Sequence, residues 1–553
     1  MKTIIFRLLV IINLLFVSIQ ISNAQVTQEW VKDFICSEFV IDKPTSIGID
    51  GSENIYVTGN YIGPSYPSKI LTLKYNSSGI LLWSRIFQNP NNNDARVTQM
   101  VNDNLGNIYI CGTIINSSTG TDFLLLKYNS FGTLVWSKTW TYSTNALADV
   151  ATSLNLDVFG NIFVTGMAHT TGGYGRTDII TLKYSASGAL EWMKNYNPYP
   201  YYNIPNIKKI TTDNLGNAYI TGFVDDGSII TIKYNFSGVI EWIRKYKQNG
   251  YTTGNGNDII VDGNRNVYIG GDCFNFTNRD DFLIIKYNST GTLQWTNVYN
   301  GSGDSTDEIK TIRLDQYNNV YVTGSSIGRG TSNDIVTIKL NNLGIQQWIK
   351  RYNGPANKND FVRDMYVDAS GNSYITGSRF AALSGVDYIT IKYNSTGTQQ
   401  WSMVYNGPGN LLGEDGAVSI KVSNSENVYV TGYSYSTNAT NNNNNYTTVK
   451  YSQTSIRKPS NDYIPETYGL SQNYPNPFNP ETKIKFDIPD KTQNVKLSFF
   501  DALGKEIEVL VNEQMNPGSY EINWNASGYP SGVYFYTIKT DNYTDTKKMI
   551  LVK

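Results

Sequence analysis

Asn54-Ile55-Tyr56-Val57-Thr58-Gly59 is the stretch on which the fold turns, because it returns seven more times in recognisable form. Its closing glycine stands at 59, 112, 166, 222, 271, 324, 377 and 432. Four residues before the Asn position stands an acid in seven copies (Asp50, Asp103, Asp157, Asp213, Asp262, Asp315 and Asp368), with Ser423 in the eighth. Beyond each glycine comes a lysine, at 74, 127, 183, 233, 286, 339, 392 and 450, followed by Tyr in all but one copy. In the first seven copies a Gly lies five residues after that Lys and a Trp nine after it: Trp83, Trp136, Trp192, Trp242, Trp295, Trp348 and Trp401. Each copy reads as four short strands. Asp and Gly or Asn supply the first tight turn, and Asn with Gly supplies the second. An aromatic stands four residues after every Trp, as Tyr299 does after Trp295. With a side-chain period of two, both rings share a face.

A four-stranded antiparallel unit of this length, repeated this often, predicts an all-β protein built as a β-propeller. The eighth copy has three strands, ending at Lys450-Tyr451, and lacks its Gly and Trp. Gln28-Glu29-Trp30-Val31-Lys32-Asp33-Phe34 carries the missing Trp and its aromatic partner. The reading is an eight-bladed propeller over residues 25–452, closed by its N-terminal strand, which removes the open sheet edges of a linear array. Through D-x-x-G-N-x-Y-V-T-G and K-Y-N-x-x-G-x-x-x-W the repeat resembles the SBBP family of bacterial β-propeller repeats. That family's name implies seven blades, so eight is a departure from it.

Before the repeats, Lys2 and Arg7 precede an apolar run from Leu8 to Phe16, and Ser22-Asn23-Ala24 supplies small residues for cleavage. This is the pattern of a secretory signal over residues 1–24. The run is shorter than the ~20 residues a spanning helix needs, so no transmembrane segment is expected. Lys and Arg total 45 against 46 Asp and Glu, which argues against a nucleic-acid partner held by bulk electrostatics. One histidine, His169, and three cysteines, Cys36, Cys111 and Cys273, exclude a multi-His zinc site and a Cys-rich scaffold. The cysteines read as separate small core or loop residues.

After Tyr451 the rhythm stops. Residues 453–467 read as a linker with Pro459 and Pro465. Residues 468–553 alternate in six or seven short runs separated by turns, the pattern of a small immunoglobulin-like β-sandwich. The module opens with Tyr474-Pro475-Asn476-Pro477-Phe478-Asn479-Pro480 and continues through Leu503-Gly504 and Gly532-Val533-Tyr534-Phe535-Tyr536 to Lys547–Lys553. In these motifs it resembles the type A C-terminal sorting domain of the type IX secretion system. The resemblance implies a Gram-negative host, the secretion machinery as partner, and release outside the cell or attachment to its surface. It marks Tyr474, Pro475, Asn476, Pro477, Phe478, Gly504, Gly532, Tyr534 and Lys553 as the sorting motif.

For a ligand, the loops that vary in length between blades, 195–206 and 434–446 above all, are the expected binding face. Near the start of the innermost strand of several blades stands an acid: Asp42, Asp94, Asp149, Asp307, Asp360 and Asp415. Such a ring has the chemistry to hold a cation such as Ca2+ or to orient a polyhydroxylated ligand, but its repetition in most blades favours local capping of backbone N–H groups. The candidate ligand-binding set is therefore Asp149, Asp307, Asp360 and Asp415, with Tyr199 and Tyr201 as exposed rings. Asp304, Glu308 and Glu414 are the other acids on that face. The turn acids are read as turn caps rather than calcium loops, and no metal or other cofactor is required. Departures from the repeat are mostly Gly, Asn, Ser and Tyr, so the expectation is a monomeric, non-catalytic binding protein for a protein or glycan. A structural spacer and a carboxylate glycosidase or lyase are the alternatives.

Overall fold

The computed structural model describes residues 26–34, 43–62, 67–142, 147–169, 177–197, 205–277, 279–382, 384–408, 413–438, 441–453, 456–457, 465–489, 493–515, 517–526 and 529–553. The expected signal segment, Asp42, Cys36, Tyr199 and Tyr201 lie outside the described residues. Among the described residues, no helix is long and apolar enough to cross a membrane. The chain divides into a compact unit of Thr27–Ser452 and a second that holds Gln453–Lys553.

The larger unit is made of four-stranded antiparallel meanders. In the first sheet, Lys43–Ile49, Ile55–Ile62, Ser68–Tyr75 and Leu81–Phe87 pair in that order. Six more sheets repeat the pattern, the second and third joined by a two-residue parallel bridge, Leu147↔Gly120 and Ala148↔Thr121. The last sheet combines Gly416–Val422, Val428–Asn438 and Asn441–Gln453 with Val26–Phe34, which pairs with Asn441–Gln453. The first strands are neighbours in sequence order: Lys43–Ile49, Ala95–Asn102, Leu147–Leu156, Asn206–Thr212, Thr253–Val261, Asp307–Leu314, Phe361–Val367 and Gly416–Val422. Gly416–Val422 in turn lies beside Lys43–Ile49. First strands gathered about a common centre, with sheets radiating from them, make a β-propeller fold.

Each repeated residue has a physical task in this arrangement. Asp50 Oδ1 accepts from the N–H groups of Ser52 and Asn54, both at 2.9 Å, and its Oδ2 accepts from Asn54 Nδ2 at 2.8 Å and Tyr56 Oη at 2.7 Å. The acid thus caps its turn, as in most other copies. The repeated Trp of the first six copies, Trp83 to Trp348, covers the turn glycine of the next sheet. Trp83 lies against Gly132 and donates Nε1–H to Ser130 O at 3.2 Å, and Trp295 does the same to Gly344 and Asn342 O. That glycine sits in the left-handed region, φ +77° at Gly132, where the ring leaves no room for a Cβ. The repeated Lys lies over a Tyr ring and reaches the same turn: Lys74 Nζ is 4.9 Å from the Tyr56 centroid and donates to Ser130 O at 3.0 Å.

Two segments differ from the reading of the sequence. Residues 434–446 are not a loop throughout. Their asparagines extend the hairpin ladder from Ser434↔Asn445 to Asn438↔Asn441, because backbone pairing tolerates a polar run where no core has to be filled. Residues 456–457, within the expected linker, form an edge strand against Ile522 and Glu521. Cys111 and Cys273 are buried free thiols. The second unit stacks two four-stranded sheets around Trp524, Phe499, Phe486, Ile522 and Tyr536.

Candidate functional site: a basic channel

The innermost strand of every sheet carries one β-bulge at the same place. The pairing register slips between Pro44 and Ser46, Val97 and Gln99, Ala151 and Ser153, Ile207 and Lys209, Gly256 and Asp258, Ile309 and Thr311, Val362 and Asp364, and Ala417 and Ser419. A bulge adds a residue to one strand and re-aims its side chain. The repeated closing glycine makes this possible. It pairs with the residue before each bulge, and a Cβ there would overlap a backbone carbonyl: Lys43 O over Gly59, Glu308 O over Gly324, Phe361 O over Gly377.

The bulged residues, Thr45, Thr98, Thr152, Lys208, Asn257, Lys310, Arg363 and Val418, all line one cavity of about 580 Å³. Lys209, Asp258, Arg313, Asp364 and Lys421 line it as well. Six cations therefore meet two carboxylates, on a chain whose net charge is −1. Both carboxylates are already engaged. Asp258 accepts from Thr311 Oγ1 at 2.8 Å and Ile312 N at 3.1 Å, and Asp364 accepts from Ser419 Oγ at 2.8 Å and Ile420 N at 3.1 Å. Arg313 bridges the two acids, at 2.8 Å to Asp258 and 3.2 Å to Asp364. Burial works against the charge on Asp258, but Arg313 and Lys209 outweigh it and hold its pKa below the usual carboxylate value.

Lys208, Lys209, Lys310, Arg363 and Lys421 have no carboxylate within ion-pairing distance among the described residues. Lys310 remains solvent-exposed, but desolvation by the channel walls and the neighbouring Arg363 push its pKa down, with Lys208 and Lys209 adding to the repulsion and Glu308 opposing it. Lys421 is also lowered, by burial first, and Arg313 and Lys209 repel its charge while Asp364 favours it. Uncompensated cations in a channel walled by protein attract an anion strongly, since low-dielectric walls focus the field. The balanced total charge is silent about such a site, and sequence reasoning missed it. A signal was present: Lys208, Lys310 and Arg363 occupy a position where three other copies hold Thr and the remaining two Asn and Val.

The expected acid positions lie elsewhere. Asp149 Oδ2 accepts from Tyr142 N at 2.7 Å, Asp307 from Gly301 N and Asp360 from Gly354 N. Asp415 accepts from Gly407 N at 2.6 Å and Tyr435 N at 2.9 Å. All four are buried and tie the connection between sheets to the start of the innermost strand. None lines the channel cavity. Burial raises the pKa of each, to about 6 at Asp149, where the neighbouring Asp122 adds to the shift. Glu414 is exposed, and His169 Nδ1 lies 2.7 Å from Ala148 O.

In the second unit the sorting residues fall into two groups. Phe478 is buried in the core against Trp524, at 5.6 Å between ring centroids, and Tyr534 Oη donates to Pro530 O at 2.7 Å. Tyr474 is 79% exposed, on a cleft of about 680 Å³ shared with Pro475, Thr482, Lys483 and Glu521. Gly504 turns at φ +79° over Asp501, and Asn476 Oδ1 accepts from Ile550 N at 2.9 Å. Gly532 opens the strand Gly532–Thr540, and Lys553 N donates to Ser531 Oγ at 2.9 Å.

Residues 472–553 match the family described as the secretion system C-terminal sorting domain. The protein is exported, to the cell surface or beyond it. The sorting domain implies handling by the type IX secretion machinery. No curated protein matches the chain. Among solved structures, the likenesses are distant. PorZ, described as an essential surface component of the type IX secretion system of Porphyromonas gingivalis, is 11% identical, with 92% of this chain and 81% of that one covered and a TM-score of 0.31. The β-propeller domain of the trilobed protease from Pyrococcus furiosus is 10% identical, covering 67% and 96%, with a TM-score of 0.36. A protein of unknown function from Bacteroides caccae is 11% identical, covering 53% and 93%, with a TM-score of 0.30.

Proposed function

We propose that this exported protein is a non-catalytic binding propeller of eight SBBP-like blades, closed by Val26–Phe34, that takes an acidic group of a glycan or protein into its central channel. The observation that carries the reading is the set of unpaired cations Lys208, Lys209, Lys310, Arg363 and Lys421 around a cavity of about 580 Å³. That volume lies within the usual range for small-ligand sites, roughly 300–1,000 Å³. Thr45, Thr98 and Thr152 also line the cavity; their hydroxyls donate to the carbonyls of Thr58, Ala151 and Thr165 and keep acceptor capacity for a ligand hydroxyl. The variable loops would then admit or select the chain that carries the acid.

Binding of an acidic polysaccharide, polygalacturonate, against neutral dextran tests this reading by calorimetry. The acidic chain is expected to bind and the neutral one not. A Lys208→Ala, Lys310→Ala, Arg363→Ala variant is expected to lose at least about tenfold in affinity, since each charge-assisted hydrogen bond contributes roughly 1.5–3 kcal/mol. Equal binding of both polymers, or an unaltered variant, rejects the reading.

The pH dependence has a definite sign. The protonated lysine binds the anion, and Lys310 and Lys421 titrate below an ordinary lysine. Affinity is therefore expected to fall as pH rises through their lowered pKa values, with protons taken up on binding over that same range. Calorimetry in two buffers of different ionisation enthalpy reads the uptake, and proton release instead would contradict it.

A further inference from the structure

At four junctions between neighbouring sheets, an aspartate at the start of a third strand faces one at the start of the next sheet's innermost strand. The pairs are Asp122 with Asp149, Asp281 with Asp307, Asp334 with Asp360, and Asp387 with Asp415. The parallel register Leu147↔Gly120 and Ala148↔Thr121 places Asp149 beside Asp122 one step further on. The bridge Val386↔Glu414 does the same for Asp387 and Asp415, and Asp360 N donates to Asn333 O at 2.7 Å. Asp281 in turn feels the negative charge of Asp307.

Two junctions contain their own counter-charge. Arg351 Nη1 lies 2.8 Å from Asp334 Oδ2, and Arg379 Nη2 lies 3.3 Å from Asp387 Oδ2. The other two pairs have no ion pair among the described residues. Asp122 Oδ2 accepts from Asn116 Nδ2 at 2.5 Å and Thr119 Oγ1 at 2.6 Å, and Asp149 Oδ2 accepts from Tyr142 N. Asp281 Oδ2 accepts from Tyr251 Oη, and Asp307 Oδ2 from Gly301 N; Ser326, Ile327 and, at longer range, the Arg351 charge also favour the ionised form of Asp307. In all four residues Oδ1 is buried without a hydrogen-bond donor, and none of the four is more than 2% exposed. His169, the base nearest Asp149, has its Nδ1 against Ala148 O. Burying one lone carboxylate oxygen without a donor is already costly, and setting two such carboxylates face to face compounds it.

We propose that a divalent cation, Ca2+ by its abundance outside the cell, bridges Asp122 and Asp149, and a second bridges Asp281 and Asp307, through the donor-free Oδ1 atoms. Ca2+ takes six to eight oxygens, and two carboxylates leave the remainder to backbone carbonyls and water. Among the described residues no three acids converge on one point. The affinity therefore belongs to the weak class of extracellular modules, with Kd about 10⁻⁴–10⁻³ M. The ion would fasten neighbouring sheets where Arg351 and Arg379 do so at the other two junctions.

Equilibrium dialysis of the full exported chain against Ca2+ tests the assignment. Two saturable ions are expected per chain, falling to one in Asp149→Asn and to none in Asp149→Asn with Asp307→Asn, while Asp334→Asn keeps both. Terbium on the unaltered chain needs no variant. Emission excited through tryptophan, with the Trp140 ring tilted against Tyr142 at 6.0 Å between centroids, is expected to appear and to be displaced by Ca2+. No saturable Ca2+ up to about 10 mM, tenfold above the expected range, overturns the proposal and leaves each pair sharing a proton. Two ions persisting in the double variant overturn it equally.

Discussion

A chain that begins after Phe34 is expected to lose its cooperative unfolding transition, the largest effect of any change considered. Val26–Phe34 is the fourth strand of the sheet that contains Gly416–Val422, and it supplies what no nearby segment replaces. Thr27 Oγ1 meets Ser452 Oγ at 2.9 Å, Thr447 Oγ1 donates to Asp33 Oδ1 at 2.6 Å, and Lys450 pairs with Glu29 at 2.6 Å. Trp30 covers Gly79 and donates Nε1–H to Ser77 O at 3.2 Å, the task that Trp83 performs for the following sheet. Without the strand, Asn441–Gln453 presents an unpaired edge and the Gly79 turn loses its cover. Trp30→Ala alone is expected to cost about 3 kcal/mol, the lower end for a large aromatic because the ring is only partly buried. Urea unfolding followed by tryptophan fluorescence measures both changes. A truncated chain that unfolds at the same midpoint and slope as the full one would mean that this strand does not hold the sheets together.

Gly324→Ala is expected to destabilise the propeller by about 3 kcal/mol and, separately, to weaken anion binding. The new Cβ would overlap the Glu308 carbonyl and crowd the Phe282 ring, both fixed by strand pairing, so neither yields cheaply. Relief requires the bulge at Lys310 to flatten, which turns that side chain out of the channel. Gly263→Ala is the matched control, because nothing lies within 4 Å of a Cβ there. It is expected to stay within about 0.5 kcal/mol of the parent. Chemical denaturation gives the stability change. Polygalacturonate affinity of the folded fraction gives the second effect, and unaltered affinity would separate the bulge from ligand binding.

Residues that repeat once per sheet were legible because their tasks are local or recur identically. Asp50 caps a turn four residues long, and Trp83 with Gly132 recurs as Trp295 with Gly344. The same regularity exposed the N-terminal strand as the missing fourth member. The role of the closing glycine was not legible, since the carbonyl it accommodates comes from another strand, as Glu308 O does over Gly324. Asp149 and Asp307 lie at the start of an innermost strand, and Asp360 and Asp415 immediately before one. Only tertiary structure gives both oxygens of Asp360 and Asp415 a backbone N–H and leaves Asp149 and Asp307 each with an oxygen lacking a donor.

By itself, the order of residues determined that this protein consists of repeated four-stranded sheets followed by an export module. Turn chemistry, alternation and Trp–Gly spacing are short-range properties that a linear string can hold. Which side chains surround the centre was decided by tertiary structure alone. One bulge per innermost strand shifts the alternation by a residue, so period-two counting assigns Lys310 and Arg363 no definite face. Their convergence with Lys208 and Lys421, drawn from four different sheets, exists only where the strands meet.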